Sequence, residues 1–380
     1  MEIQLVKDFK KLSLYRHNWD KLLRSYSGKD VFLTYEWITT WWEHFGENNE
    51  LYILFIWDEK RLVGIAPLMK LSKGPFRIIQ FIGHPRHSDR MDFIIDETRY
   101  SEVIEAIVHY LMDRKKDWHL ISLRQFSTLT NTSEMLADIS TKYNIQFLHQ
   151  PDDPCFYIPL SKYNGFDQYL EENYSSKNIR DFRRLKRKII KNNFKKCDYY
   201  SLHNDSNIYS QIVDLDRNRS IRGKQGLSFF SDVRNIDFLK EIIDKFSYLK
   251  TIKIKTYMKE KKIICYLLVF IFNSKIMAYQ AAFNFQYSQY SPGTMLNFDA
   301  IEDAFKTGCR EYDFLMGEEG YKSRWTHNYR QNKRILIYNS QSLSKLLYQY
   351  HKRIKPLRPL IKQSKIGRRL GLDKIKIFDI

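Results

Sequence analysis

The sequence is short of the residues that staple chains together. Only four cysteines, Cys155, Cys197, Cys265 and Cys309, occur in 380 residues, and none forms a C-x-x-C pair. Neither a disulfide framework nor a zinc knuckle is indicated, and a reducing compartment fits. No apolar run approaches the roughly 20 residues that a membrane-spanning helix needs; the longest, Ile263 to Phe272, reads as a buried strand. The start, Met1-Glu2-Ile3-Gln4, lacks a short apolar core with a small-residue cleavage site, so a cytoplasmic location is expected. No metal site is expected either. In His84-Pro85-Arg86-His87-Ser88-Asp89 the proline and the short spacing suit a polar loop better than a tetrahedral site, and Asp214 with Asp216 has no third ligand nearby.

Acidic residues are nearly missing from two stretches. Residues 177–196 carry ten Lys or Arg against Asp181, and residues 341–380 carry eleven against Asp373 and Asp379, within a net charge of +19. Such patches attract CoA, nucleotide-sugars, tRNA or anionic headgroups without choosing among them. The basic tail leaves peripheral contact with the inner membrane face open.

Apolar and aromatic residues are abundant, with 26 Tyr, 25 Phe and 7 Trp, and the length exceeds what one core usually fills, so two globular domains are expected. The boundary is placed at the polar, proline-flanked Gln150-Pro151-Asp152-Asp153-Pro154. The expected organisation is 1–155, 156–340 and a basic appendage 341–380, in which Leu343, Leu346, Leu347 and Tyr350 begin a helix and Pro356 and Pro359 interrupt it.

A strand pattern occurs twice. Leu51–Trp57, Leu62–Leu71 and Phe76–Ile82 are separated by turns at Asp58-Glu59-Lys60-Arg61 and Ser72-Lys73-Gly74. Thr251–Met258, Ile263–Phe272 and Ile276–Phe283 are separated by Lys259-Glu260-Lys261-Lys262 and Asn273-Ser274-Lys275, with the same spacing between turns. Each set reads as an antiparallel meander. Each is followed by an amphipathic helix, with stripes Val103, Ile104, Ile107, Val108, Leu111 and Met295, Phe298, Ile301, Ala304, Phe305, and then by another strand. The chain is therefore expected to be internally duplicated and of the α/β (α+β) class. Trp37, Trp41 and Trp42 sit at helical spacing and suit a core.

Several residues in the second copy could carry chemistry. Ser291-Pro292-Gly293-Thr294 lies between the third strand and the helix, where unpaired N–H groups suit a phosphate and Gly293 permits close approach. A plain strand-to-helix turn explains the same residues. Asp313 interrupts the apolar strand Tyr312, Phe314, Met316, as a general base or a hydrogen-bonded structural carboxylate would. Gly317-Glu318-Glu319-Gly320-Tyr321-Lys322-Ser323-Arg324-Trp325 follows, where Lys322 and Arg324 could hold phosphate or carboxylate. Ile179, Phe182, Leu185 and Ile189 mark one face of a helix whose wet face is Arg180, Arg183, Arg184, Arg187 and Lys191. Arg217-Asn218-Arg219-Ser220 and Arg222-Gly223-Lys224-Gln225-Gly226 could border an acceptor pocket.

Taken in order and spacing over about 175–335, the second meander, Tyr290-Ser291-Pro292-Gly293-Thr294, Tyr312-Asp313-Phe314, Gly317, Tyr321-Lys322 and Trp325 resemble the CelD-like branch of the GNAT acyltransferases, itself similar to the Fem aminoacyltransferases. Trp41-Trp42-Glu43-His44-Phe45-Gly46 and Leu62-Val63-Gly64-Ile65-Ala66-Pro67-Leu68 resemble the N-terminal portion of these proteins. The resemblance implies tandem GNAT-like domains, each a mixed, mainly antiparallel sheet flanked by helices. It implies acyl transfer, in the first instance acetyl, from acyl-CoA as co-substrate to an amine on a sugar or cell-envelope precursor, with no permanently bound cofactor. Asp313, Tyr321 and Lys322 are the expected catalytic residues, and Ser291, Pro292, Gly293 and Thr294 the expected CoA contacts. Arg324, Trp325, Arg219 and Gln280 are the expected contacts to an anionic sugar or nucleotide-sugar acceptor. The first half has no counterpart of Tyr321-Lys322 and is expected to be non-catalytic. The rivals are an aminoacyl-tRNA-dependent transferase, the one case in which nucleic acid is a partner, and a non-catalytic adaptor for polyanions or membranes.

Overall fold

Aliphatic runs closed by two-residue turns organise the computed structural model, which describes residues 1–83, 87–202, 206–221 and 228–355. In chain order the first elements are β1 (Glu2–Val6), α1 (Arg16–Ser25), α2 (Tyr35–Phe45), β2 (Glu50–Asp58), β3 (Arg61–Lys73), β4 (Phe76–Phe81) and β5 (Ile94–Ile95). They are followed by α3 (Tyr100–Asp113), β6 (Leu120–Phe126), α4 (Thr132–Lys142), β7 (Gln146–Pro159), α5 (Phe166–Asn173), α6 (Ser176–Lys191), β8 (Lys195–Tyr199) and α7 (Ser206–Ile221). The rest are α8 (Arg234–Tyr248), β9 (Ile252–Lys259), β10 (Lys262–Phe272), β11 (Lys275–Phe283), α9 (Pro292–Lys306), β12 (Glu311–Met316), β13 (Tyr329–Tyr338) and α10 (Ser342–Gln349). His84, Pro85, Arg86, the segment from Arg222 to Gly226, and Pro356 with the rest of the tail lie outside the described residues.

The chain divides into two units, Met1–Asp153 with the chain from Gln331 onward, and Pro154–Arg330. The expected irregular linker at 150–154 is instead part of β7. Proline's fixed φ suits an extended strand wherever its missing N–H is not needed by a ladder.

In the first unit the strands run β1-β2-β3-β4-β6-β13, antiparallel except for the parallel pair β4 and β6, registered at Ile78↔Leu120 and Ile79↔Ile121. Leu62 to Met69 of β3 are all buried, without alternation, as in a strand covered on both faces. One cover is α3, whose Val103, Ile104, Ile107, Val108 and Leu111 are all buried. Gly64 is required here, because a Cβ would sit 2.5 Å from Val103 Cγ1. Trp37 and Trp41 are buried, donating through their indole N–H groups to Ser88 Oγ and His87 Nδ1. The C-terminal boundary differs from the expected one at 340. Strand β13 pairs with β6, and Leu347 of α10 packs with Phe76, Ile78, Leu120, Leu336 and Tyr338, so the start of the expected appendage belongs to this core. Leu346, counted among the apolar helix positions, is exposed.

The second unit repeats the plan with the order β7-β12-β11-β10-β9-β8, in which β11 and β12 are the parallel pair. The turns Glu260-Lys261 and Asn273-Ser274 have positive φ at both residues, the geometry that matches the twist of a tight hairpin. Strand β10 is buried from Ile263 to Phe270, and α9 presents Met295, Phe298, Ile301 and Ala304 to the core.

Candidate active site

The two units treat their parallel strand pair differently. In the first, Met91 forms a parallel bridge to Phe126 beyond the last β4–β6 pair; its N–H donates to Gln125 O, and Ser127 N–H donates to its carbonyl. The rings of Phe81, Phe93 and Phe126 pack edge to face over the same place. The separation of these strands is thus filled by the chain's own residues.

In the second unit the β11–β12 ladder holds only at Lys275↔Glu311, Ile276↔Tyr312 and Met277↔Asp313. Strand β11 then continues to Phe283, while β12 shifts register against β7 between Asp313 and Met316. The register of β10 against β11 jumps from Leu268↔Gln280 to Val269↔Ala278, which leaves Tyr279 as an extra residue, a bulge, where the strands part.

The shift in β12 has a physical cause. Leu315 adopts φ +59° and Gly317 φ +118°, and a branched side chain at positive φ carries strain of roughly 1–2 kcal/mol. Asp313 and Lys322 offset it from two sides. Asp313 Oδ1 accepts the Leu315 N–H at 2.7 Å. Lys322 Nζ donates to the carbonyls of Leu315 (3.2 Å) and Met316, and reaches Glu319 Oε2 at 2.9 Å. Gly317 N–H donates to Pro154 O at 3.0 Å. Asp313 is 0% exposed and Lys322 2%. Against the general-base expectation, Asp313 has no accessible surface in this structure, and its Oδ1 accepts a backbone N–H that shapes the strand.

The start of α9 lies on the connection from β11. Ser291 is left-handed (φ 48°, ψ 49°) and its side chain makes no cap; Pro292 opens the helix and has no N–H, and Met295 N–H donates to Ser291 O at 3.0 Å. The N–H groups of Gly293 and Thr294 remain without an intrahelical acceptor. Gly293 does not owe its identity to packing: an added Cβ would meet only Phe283 Cδ1, at 3.5 Å. Its carbonyl accepts Asn297 Nδ2 at 3.0 Å, and Asn297 Oδ1 accepts the hydroxyl of the fully buried Tyr312 at 3.2 Å. Burial pushes the Tyr312 phenol well above its ordinary range, so it stays a donor. This link between β12 and the first turn of α9 was not anticipated; its only signal is Asn297 among the apolar positions of the helix. The preceding 3-10 turn, Phe285–Tyr290, is tied to α6 by Lys188 Nζ donating to Gln289 O (3.1 Å) and Tyr290 Oη donating to Asn192 Oδ1 (3.1 Å).

Asp313, Lys322 and the α9 turn thus border one parting of strands. Gln280, partly buried, sits on β11 beside the bulge. Tyr321 is 43% exposed, edge-on to Phe314, and Arg324 is exposed. Trp325 is a core residue, stacked on Phe182 at 5.6 Å, and its carbonyl accepts Tyr169 Oη at 2.7 Å. Arg219 lies on α7, and its side chain is outside the described residues. Among the described residues no His, Cys, Asp and Glu cluster could hold a metal, and no helix is long and apolar enough to cross a membrane.

Residues 177–323 match the sequence model of the acetyltransferase (GNAT) domain. Among solved structures the chain is similar to FemX, with a TM-score of 0.62 and 12% identity over 92% of this chain and 100% of that one. It is also similar to a conserved protein of unknown function from Bacteroides thetaiotaomicron (TM-score 0.55, 9% identity, 89% of this chain and 100% of that one). A third is L-PGS from Bacillus licheniformis (TM-score 0.52, 11% identity, 92% and 98%). At such identities the likeness is one of fold. No curated protein sequence is significantly similar to the chain. The parting of β11 from β12 beside a helix start lies inside the segment, residues 177–323, that matches the acetyltransferase (GNAT) domain, and that match supports an acyltransferase.

Proposed function

We propose that the second unit transfers an acyl group, acetyl in the first instance, from the phosphopantetheine thioester of acyl-CoA to an amine on a sugar or cell-envelope precursor, as in the CelD-like branch. The observation that carries this reading is Gly293. A glycine in a first helical turn gives up roughly 0.5–1 kcal/mol relative to alanine, and no neighbouring protein atom requires it. A ligand phosphate approaching the N–H groups of Gly293 and Thr294 does require it.

With the phosphate there, the thioester arm extends along β11 past Ala278 and Gln280 toward the bulge. The acceptor nitrogen attacks the thioester carbonyl carbon; the C–N bond forms, the C–S bond breaks, and the thiolate leaves with the proton shed by nitrogen. A backbone N–H of the parted strands holds the oxyanion. Asp313 and Lys322 act as positioning residues that fix the β12 bulge at this point. Tyr321, Arg324 and Gln280 border the acceptor at the open end, where an exposed guanidinium suits an anionic sugar or nucleotide-sugar. The names FemX and L-PGS belong to proteins of the same fold and point the search for acceptors toward envelope chemistry. The test is thiol release from acetyl-CoA with a panel of amino sugars and nucleotide-linked amino sugars, alongside calorimetric titration with CoA. Acceptor-dependent thiol release is expected; absence of both CoA binding and thiol release sinks the reading.

A further inference from the structure

We propose that the exposed face of α6 docks a small acidic carrier protein that presents the acyl group on its own phosphopantetheine arm. The inference rests on the thioester reading above and names the source of that thioester.

Arg180, Arg183, Arg184, Arg187 and Lys191 are all exposed along α6. From Arg180 to Lys191 the face extends about 16 Å at 1.5 Å per residue, far longer than the phosphates of one nucleotide. Arg184 reaches Asp181 at 3.2 Å, and Arg187 Nε turns back onto the Arg183 carbonyl at 3.4 Å. Among the described residues no carboxylate lies in ion-pair range of Arg180, Arg183, Arg187 or Lys191. Like charges four apart, as in Arg180/Arg184, Arg183/Arg187 and Arg187/Lys191, destabilise a helix, and this helix is held by its buried side, Ile179, Phe182, Leu185 and Ile189. Apart from the Arg184–Asp181 pair and Lys191 in the last turn, the charge does little for the fold. It complements an acidic surface.

Two further features narrow the partner. Ile190 is 65% exposed and Phe285 62%, one at the C-terminal end of α6 and the other in the 3-10 turn tied to that end. Large apolar side chains at the margin of a basic face suit a protein surface, where charged contacts surround an apolar centre. The same turn leads directly into α9, so the basic face ends where the phosphate site begins. That site has two unshared N–H groups, because Pro292 has none and Met295 is bonded to Ser291. Two donors suit the single phosphate of a carrier-linked arm better than the pyrophosphate and third phosphate of CoA. RNA and anionic bilayers share the negative charge, but neither brings a thioester to α9.

The test compares kcat/KM of the full chain with the same acetyl group on CoA, on free phosphopantetheine and on an acidic phosphopantetheinylated carrier protein, with one responsive amine. Carrier is expected to exceed CoA about tenfold or more. The double variant Arg183→Glu/Arg187→Glu is expected to lower carrier turnover by about tenfold or more through slower association, and to leave the free phosphopantetheine thioester unaffected. Equal use of CoA and carrier, or a double variant that lowers neither, overturns the docking inference and leaves the acyl-transfer reading standing. Tight binding of tRNA or anionic vesicles lost in the double variant, with the carrier inert and CoA turned over, also overturns it. If no thioester is turned over, both fall together.

Discussion

Asp92, in the first unit, is fully buried, accepting the Phe93 N–H at 2.8 Å and the Thr130 hydroxyl at 2.7 Å. Burial outweighs these bonds and pushes its carboxyl up to about 7. A raised folded-state value means that the protonated form favours folding: its contribution is complete below the ordinary aspartate range, near 3.8, and is lost as pH rises through about 7. At about 1.4 kcal/mol per unit, the loss is on the order of 4 kcal/mol, a large part of an ordinary domain's stability. Asp92→Asn keeps an oxygen for Phe93 N–H and removes the titration. Its Tm is expected to exceed that of the parent at pH 8, with the gap closing toward pH 4 in thermal melts; a variant less stable than the parent at pH 8 contradicts the assignment. Lys322 acts differently, since its buried ammonium holds two bulge carbonyls. Lys322→Met is expected to cost about 2–3 kcal/mol in urea unfolding and to lower kcat more than it raises KM. Unchanged stability with lost activity would instead make Lys322 a chemical participant.

At the level of elements, the two meanders, the α9 stripe and the two faces of α6 could be read from the sequence, because periodicity and turn spacing are local properties. The β12 bulge could not: nothing in Phe314-Leu315-Met316 announces a leucine at φ +59°, and the carboxylate and ammonium that hold it come from neighbouring positions in the chain whose roles depend on the third dimension. The Tyr312–Asn297–Gly293 link was hidden for a related reason, since a polar residue on an apolar helix face names no partner. The place of β13 is hidden in the same way, because its pairing with β6 is a long-range choice that no local pattern in Tyr329–Tyr338 announces. The bulge gives a further expectation. Asp313→Asn preserves an acceptor for the Leu315 N–H and should retain most of the turnover with an unshifted pH–rate profile, whereas Asp313→Ala should lose both stability and rate. A pH–rate limb that vanishes in Asp313→Asn, with the fold intact, would restore the general-base role.

Across the whole molecule, the same strand–helix plan is used twice with opposite outcomes at the parallel pair. In the first unit Met91 and the rings of Phe81, Phe93 and Phe126 occupy the parting; in the second, the ladder ends at Met277↔Asp313 beside a helix start with two N–H groups to spare. On the proposed reading the chain has one thioester site, in the second unit. The most direct measurement is calorimetric titration of acetyl-CoA into the parent and into Gly293→Ala, with Tm recorded for both. The account predicts one site per chain, an affinity about tenfold or more weaker in Gly293→Ala, and a Tm that is equal or slightly higher, because the methyl group meets only Phe283 and alanine favours the helix. Equal affinity in the two proteins would contradict it.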